Sequence, residues 1–474
     1  MSHYDTVTRL PPGFIEVGWS TVPGEEGVHH NAAIADLVRN RYGFQFHPEV
    51  DDTEYGDAML ETFVLSVCGC RPTWTMERYI EEQMEAIREK VGDKGVFLLA
   101  SGGVDSTVCA VLLSRALPPG RLQVLHVDNG MMRKDESRLV MTELERLGLG
   151  EGLHFVDASE RFLAALRDVT DPEEKRKAIG ETFVRVFEDE AERLGLTDLL
   201  LGQGTIYPDT IETGGTRRAD TIKTHHNRVA LIEEMIASGR VVEPLAELYK
   251  VEVRELGEKL DISADLVWRH PFPGPGLGVR LLCSAGDVPE GHDARVVQPA
   301  IDAVLGPLAL SGVLLPLRSV GVKADLRAFE QPVMLWGEGD FETVCSAAAR
   351  IYKQVDGVNR CIWDLTGRGV HSADPVAARA TRERFDLLRE ADHIVMHALE
   401  LHGLRRTIWQ CPTVLVPLRL DGEGSELVVI RPVLSERAMT ARPAQLPPEM
   451  IDEIMDPLLA LPGVSGVALD VTTK

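Results

Sequence analysis

Behind Thr75, a capping residue type, the apolar positions Met76, Ile80, Met84, Ile87 and Val91 recur at spacings of three and four, which predicts a helix. The rhythm then changes to short apolar runs separated by helical stretches. They are GVFLLA (95–100), a helix from about 104, LQVLHVD (122–128), a helix through SRLVMTELERLG, LHFVDAS (153–159) and DLLLGQG (198–204). Before the last run, Asp171-Pro172-Glu173-Glu174 supplies a capping carboxylate, a first-turn proline and a glutamate three residues on, so a helix continues through Ile179, Phe183, Val186 and Phe187. Strand and helix alternating at this spacing predict a parallel sheet with helices on both faces. Ligands of such sheets bind beyond the carboxyl ends of the strands.

The chain on either side follows other rules. Residues 1–70 are rich in Gly, Pro and His, with short strand-like runs such as YGFQF (42–46), too little to bury a core alone. Beyond RHPFPGPGLGVR (269–280) the sequence repeats itself. Pro-Leu-Arg stands at 316–318 and 417–419, and Asp-x-Thr at 364–366 and 470–472. This is an internal duplication, about 290–368 and 384–474, in which each copy holds a helix (about 293–310 and 384–403), two strands, a second helix and a last strand. The expected domains are 1–70, 71–282 and 283–474.

Composition narrows the chemistry. A chain of 474 residues calls for two or three domains, and 44% apolar content excludes a mainly disordered protein. The net charge of −24 repels nucleic acid on average. The seven cysteines are scattered without a Cys-x-x-Cys pair, so neither a disulfide framework nor a zinc ribbon is expected. No run reaches the roughly 18 apolar residues of a membrane span. A cytoplasmic protein with no membrane or nucleic-acid partner is the expectation.

The candidate chemistry sits in SGGVDST, at the predicted junction of strand and helix. Gly102 and Gly103 let backbone amides approach an anion, the helix start adds its partial positive charge, and Ser101, Ser106 and Thr107 add hydroxyls. The lysine that serves γ-phosphate in Walker-type loops is missing. Gly-Gly alone also suits a plain tight turn. VDNG (127–130), ending the next strand, favours the anion loop.

This loop resembles the pyrophosphate loop of the N-type ATP pyrophosphatases, which cleave ATP between its α- and β-phosphates. GQGTIYPDTIET (202–213), IKTHHN (222–227), EPLAELYKVEVRELG (243–257), RHPFPGPGLGVR and DPEEKRKAIGETFVRVF (171–187) resemble blocks of the GMP synthetase family. NAD synthetases share the loop but not the Pro-Gly block or the duplicated region. A tRNA-thiolating enzyme or a catalytically silent nucleotide-binding and dimerisation fragment are further alternatives.

The resemblance implies an α/β, adenine nucleotide alpha-hydrolase-like domain, then a duplicated α+β dimerisation domain, after a short amidotransferase remnant. It implies ATP-dependent amination of XMP to GMP through an adenylyl-XMP intermediate, with release of AMP and pyrophosphate, by a homodimer. Ser101, Gly102, Gly103, Val104, Asp105, Ser106 and Thr107 would hold ATP, with Asp128, Asn129 and Gly204 beside them and Asp105 as a magnesium ligand. Lys223 would meet charge developing on the α-phosphate. Arg176, Asp325, Arg327, Gln410 and Lys474 would bind XMP. Arg269 and Arg280 could offer cations to a phosphate across the proline-stiffened loop. The stretches MSHYDTVTRLPPGF and YGFQFHPEV resemble the end of a class I glutamine amidotransferase, with His47 and Glu49 matching two of its triad members. The nucleophilic cysteine belongs upstream of them, and family members run past Lys474 with an acidic tail. The chain as written is therefore expected to use ammonia, and glutamine only through a complete or separate amidotransferase domain.

Overall fold

The computed structural model describes residues 7–21, 29–50, 53–196, 198–209, 235, 238–270, 272, 274–291, 293–323, 326–435 and 441–472. Its contacts divide the chain into two compact units, Met1–Thr75 and Met76–Lys474.

In the first unit β1 (Ile15–Thr21), β2 (His29–Asp36) and β3 (Arg41–Phe44) form an antiparallel sheet in sequence order. Asp36 closes the turn between β2 and β3, accepting from the amides of Val38 and Arg39 at 3.1 Å. Gly56, at the start of a short helix to Glu61, packs on Pro48, whose carbonyl oxygen would lie 2.0 Å from an added Cβ.

The second unit opens with the helix Met76–Val91, whose apolar face buries Met76, Tyr79, Ile87 and Val91. A five-stranded parallel sheet follows. Its strands are β4 (Val96–Leu99), β5 (Leu122–Asp128), β6 (Leu153–Asp157), β7 (Leu200–Gly202) and β8 (Val241–Val242), in the order β6-β5-β4-β7-β8. Central β4 is apolar throughout because both of its faces are covered. Val96 and Leu98 pack with Val108, Leu112 and Val253 on one side. Phe97 stacks on Phe187 of the helix Pro172–Arg193 on the other, with ring centroids 5.2 Å apart. Asp171 caps that helix, accepting from the amides of Glu173 and Glu174 at 2.9 Å.

The core under Phe97 runs on through Leu277 and Leu281 into the C-terminal region. There, β9 (Leu310–Leu314), β10 (Ser319–Lys323), β11 (Leu326–Gly337) and β12 (Val358–Asp364) come from the first copy. The second copy supplies β14 (Thr413–Val416), β16 (Glu426–Ile430) and β19 (Val464–Asp470), with the short ladders β13 (Ala373–Pro375) on β15 (Leu418–Leu420) and β17 (Val433–Leu434) on β18 (Arg442–Pro443) beside them. The seven-stranded sheet runs β10-β11-β12-β19-β16-β14, with β9 also on β11.

The duplication is visible in the pairing. β9 on β11 and β14 on β16 are antiparallel, while β11 on β12 and β16 on β19 are parallel. Where the copies meet, Ile362 faces Asp470, Asp364 faces Ala468, and Trp363 faces Leu469. Equivalent residues thus exchange places about a pseudo-two-fold axis at Trp363 and Leu469. Asp364 and Asp470 make the same turn, accepting from the amides of Thr366 (2.9 Å) and Thr472 (3.0 Å).

Candidate functional site

The loop leaves the carboxyl end of β4 at the middle of the parallel sheet and enters the helix Val104–Ala116. Gly102 adopts φ +77°, and Gly103 is the extended N-cap. The first helical bond runs from Thr107 N to Gly103 O at 3.1 Å. The amides of Val104, Asp105 and Ser106 therefore lie ahead of the helical ladder and point out of its positive end.

The carbonyls of the same turn face the other way. His126 Nδ1 donates to Ala100 O at 2.8 Å, Arg269 to Gly102 O, and the hydroxyls of Ser106 (3.1 Å) and Thr107 (2.9 Å) to Gly103 O. Burial holds the His126 imidazole below its ordinary pKa, which suits a neutral ring donating from Nδ1. Ser101 Oγ lies 3.2 Å from Ser106 Oγ and receives Gly103 N at 3.3 Å. Gly204, just past β7, leans on the turn so closely that an added Cβ would stand 3.0 Å from the Asp105 carbonyl.

Asp105, in the first turn, is gripped by Lys250, whose Nζ donates to Oδ1 at 2.7 Å and Oδ2 at 2.6 Å. Lys250 opens the helix Lys250–Lys259. One turn on, burial lowers the pKa of the Arg254 guanidinium, an effect that Asp105 partly offsets, and Arg254 lies 5.1 Å over the Trp268 ring. Sequence reading passed over Lys250. The signal was there: a cation at a helix N-terminus opposes the helix dipole and needs a local reason.

An open cleft of about 690 Å³ runs beyond the ends of β5 and β6, lined among others by Asp128, Arg133, Glu136, Phe155 and Arg389, with no residue of Ser101–Thr107 in its walls. Asp128 lines it, whereas Asn129 is buried and spends its side-chain oxygen on Met131 N at 2.8 Å. The helix Arg382–Leu401 closes over the segment following β5. Arg389 donates to Met132 O at 2.9 Å and to Gly130 O, and Lys134 pairs with Glu390 at 2.8 Å.

Arg269 and Arg280 do not stand free for a phosphate. Both are buried, Arg269 against Glu136 and Arg280 against Asp392 at 3.1 Å, and burial lowers each to about 10. Arg176 is half-buried on its helix and pairs with Glu173 at 3.2 Å. Its neighbour Lys175 is buried, donates to Leu281 O, and is pushed down in pKa by burial. Gln410 pairs through its backbone with Val433. Arg327 lies on β11 without a described side chain, and Lys223, Asp325 and Lys474 fall outside the described residues, as do His225 and His226.

In the first unit His47 Nδ1 and Glu49 Oε1 are 2.7 Å apart, both exposed. The Glu49 carboxyl is lowered by its own backbone amide and then by the imidazole. Cys68 and Cys70 are exposed and free. Among the described residues no group of histidine, cysteine and acidic side chains could enclose a metal, and no helix is long and apolar enough to cross a membrane.

Residues 1–67 match the family model of glutamine amidotransferase class-I. A probable GMP synthase [glutamine-hydrolyzing] of Leptospira interrogans is 38% identical over 491 residues, spanning 100% of this chain and 77% of that one. The GMP synthase [glutamine-hydrolyzing] of Heliobacterium modesticaldum is 43% identical over 78% of this chain and 73% of its own, and that of Dictyostelium discoideum 34% over 100% and 74%. Among solved structures, NMN synthetase from Francisella tularensis aligns over 43% of this chain and 79% of that one, at 18% identity and a TM-score of 0.32, too weak a likeness to bear on function. With relatives of this identity along its whole length, the chain belongs to the glutamine-hydrolysing GMP synthase family.

Proposed function

We propose that this protein aminates XMP to GMP at the expense of ATP, through an adenylyl-XMP intermediate, releasing AMP and pyrophosphate. The observation that carries the reading is the turn Ser101–Thr107, whose carbonyls are tied inward, two of the ties coming from the Ser106 and Thr107 hydroxyls, while its leading amides point out of a helix N-terminus. A leaving group that departs as pyrophosphate needs such a cradle of donors, preorganised before charge develops.

In this reading Lys250 supplies the cation that the loop itself lacks. Asp105 is partly exposed and offers hard oxygens beside the hydroxyls, which fits a magnesium ion that keeps several waters and takes its other ligands from phosphate. When bound with ATP, magnesium would neutralise polyphosphate charge. Asp128 borders the nucleoside end, and Gly204, whose bare backbone makes room for Asp105 and Ser106, backs the loop that would hold the phosphates. Lys223 serves the α-phosphate, while Arg176, Asp325, Arg327, Gln410 and Lys474 bind XMP. Ammonia, supplied free or from glutamine, is the nitrogen donor, and His47 with Glu49 are members of a glutamine-hydrolysing triad.

In this reading the second unit holds two domains, bounded with the first as 1–70, 71–282 and 283–474, and the C-terminal one makes a homodimer to which its exposed Val296 and Leu401 are available. Free cysteines suit a reducing cytoplasm. The direct test is AMP formation from ATP and XMP with ammonium chloride; no AMP with XMP present would reject the reading.

A further inference from the structure

We infer that Arg269 and Glu136 are positioning residues for the phosphate loop: their buried ion pair holds the Gly102 carbonyl inward and so aims the neighbouring amides at pyrophosphate. The inference rests on the proposed role of Ser101–Thr107.

Both side chains are almost wholly buried, at 10% and 6% exposure. A buried ion pair gains little stability over a well-packed apolar pair of similar size. What it adds here is direction, because a guanidinium fork can hold a carboxylate and still present a donor to one carbonyl. That carbonyl belongs to Gly102, the residue at φ +77°, where glycine's freedom leaves the peptide plane to be fixed by its contacts.

The helix Glu136–Arg146 sets the plane twice. Glu136 is its first residue, and Val140 on the next turn lies against Gly102, with Cγ2 2.6 Å from where a Cβ would be. Glu136 is itself fixed, since its second oxygen accepts the amide of Arg133 at 2.8 Å. The Arg133 guanidinium pairs with Asp392 at 3.1 Å, and Asp392 pairs with Arg280 at the far end of the Pro-Gly block. The two arginines flanking that block therefore bind opposite ends of one chain of contacts, from the loop to the helix Arg382–Leu401. Neither is left over as a ligand cation.

The test uses the full chain with Glu136→Gln, Arg269→Lys, Arg269→Met and the double variant, reading inhibition of AMP formation by inorganic pyrophosphate and the separate KM values for ATP and XMP. Expected are a loss of pyrophosphate inhibition of about tenfold or more with a matching rise in the ATP KM, and an XMP KM within about twofold. Arg269→Lys, which keeps the charge without the fork, should fall between wild type and Arg269→Met. The double variant should be no worse than the worse single one, since both remove the same contact. Unchanged pyrophosphate inhibition in folded Glu136→Gln, or equal rises in both KM values, overturns the inference. Should Arg269→Met fail to fold, the nearly isosteric Glu136→Gln decides. Ser106→Ala separates the two levels. If it weakens pyrophosphate inhibition and the pair variants do not, only the positioning role falls; if it has no effect either, the loop reading falls with it.

Discussion

Lys250 holds both carboxylate oxygens of Asp105 across 145 residues of sequence. Both side chains keep partial contact with water, 38% and 29%, so the pair contributes little to stability. Its expected weight is in catalysis. Lys250→Met should cut AMP formation by about a hundredfold or more while leaving the melting temperature nearly unchanged. A wild-type rate in that variant would make the pair a scaffold contact. Asp105→Ala should abolish adenylation, and pyrophosphate release at the normal rate would remove Asp105 from the site.

Gly102 is constrained in two separable ways, by its positive φ and by the Val140 side chain. Gly102→Ala is expected to destabilise the fold by about 1–3 kcal/mol and to weaken ATP binding. Adding Val140→Ala should recover the steric share and leave the backbone share. Chemical denaturation of the single and double variants measures both, and full recovery would show that the backbone conformation costs nothing.

The nitrogen donor can be tested directly. His47 pairs with Glu49 on an exposed surface, and the two cysteines of the same unit follow them in sequence. A thiolate placed for attack is what glutamine hydrolysis needs. With ammonium chloride as the nitrogen source, GMP formation should be unchanged in His47→Ala; a loss of ammonia-supported activity would give His47 a role outside glutamine hydrolysis.

His270 gives a pH dependence. Its Nε2 donates to Arg405 O at 2.9 Å, and burial lowers it from 6.5 to about 4, despite that bond, with Arg133, Arg405 and Arg280 adding to the effect. A depressed folded-state pKa means that the unfolded chain takes up the proton first. Stability is therefore full above pH 6.5 and is lost as pH falls towards 4, by at most about 3 kcal/mol. His270→Gln should flatten the melting temperature between those pH values, and a profile identical to wild type would place the acid sensitivity elsewhere.

Much of this was legible in the sequence because local signals and burial agree. The apolar run of β4, the Asp171 cap and the repeated Asp-x-Thr each state a local rule that tertiary packing does not override. β8 was missed because two residues, Val241 and Val242, carry no periodicity. Side-chain direction was the harder part. Arg269 reads as a ligand cation beside prolines, yet it turns inward, since nothing local encodes the Glu136 that receives it. Lys250 was passed over for the same reason, its partner lying in another motif. Asn129, adjacent to Asp128 in VDNG, differs from it because it stands just past the end of β5 and turns its side chain back onto the amide of Met131.

The junction between β12 and β19 is not symmetric in charge. Arg360 of the first copy crosses it to Asp470 of the second, where Arg431 also arrives at 3.2 Å. Asp364, the counterpart of Asp470, keeps to its own turn through Thr366 and Gly369. Without Arg360 from the other copy, the buried Asp470 would keep only Arg431 as its compensating charge. The two repeats are thus joined by a buried charge as well as by a strand ladder, and the region should melt as one cooperative unit, with neither half persisting after the other has gone.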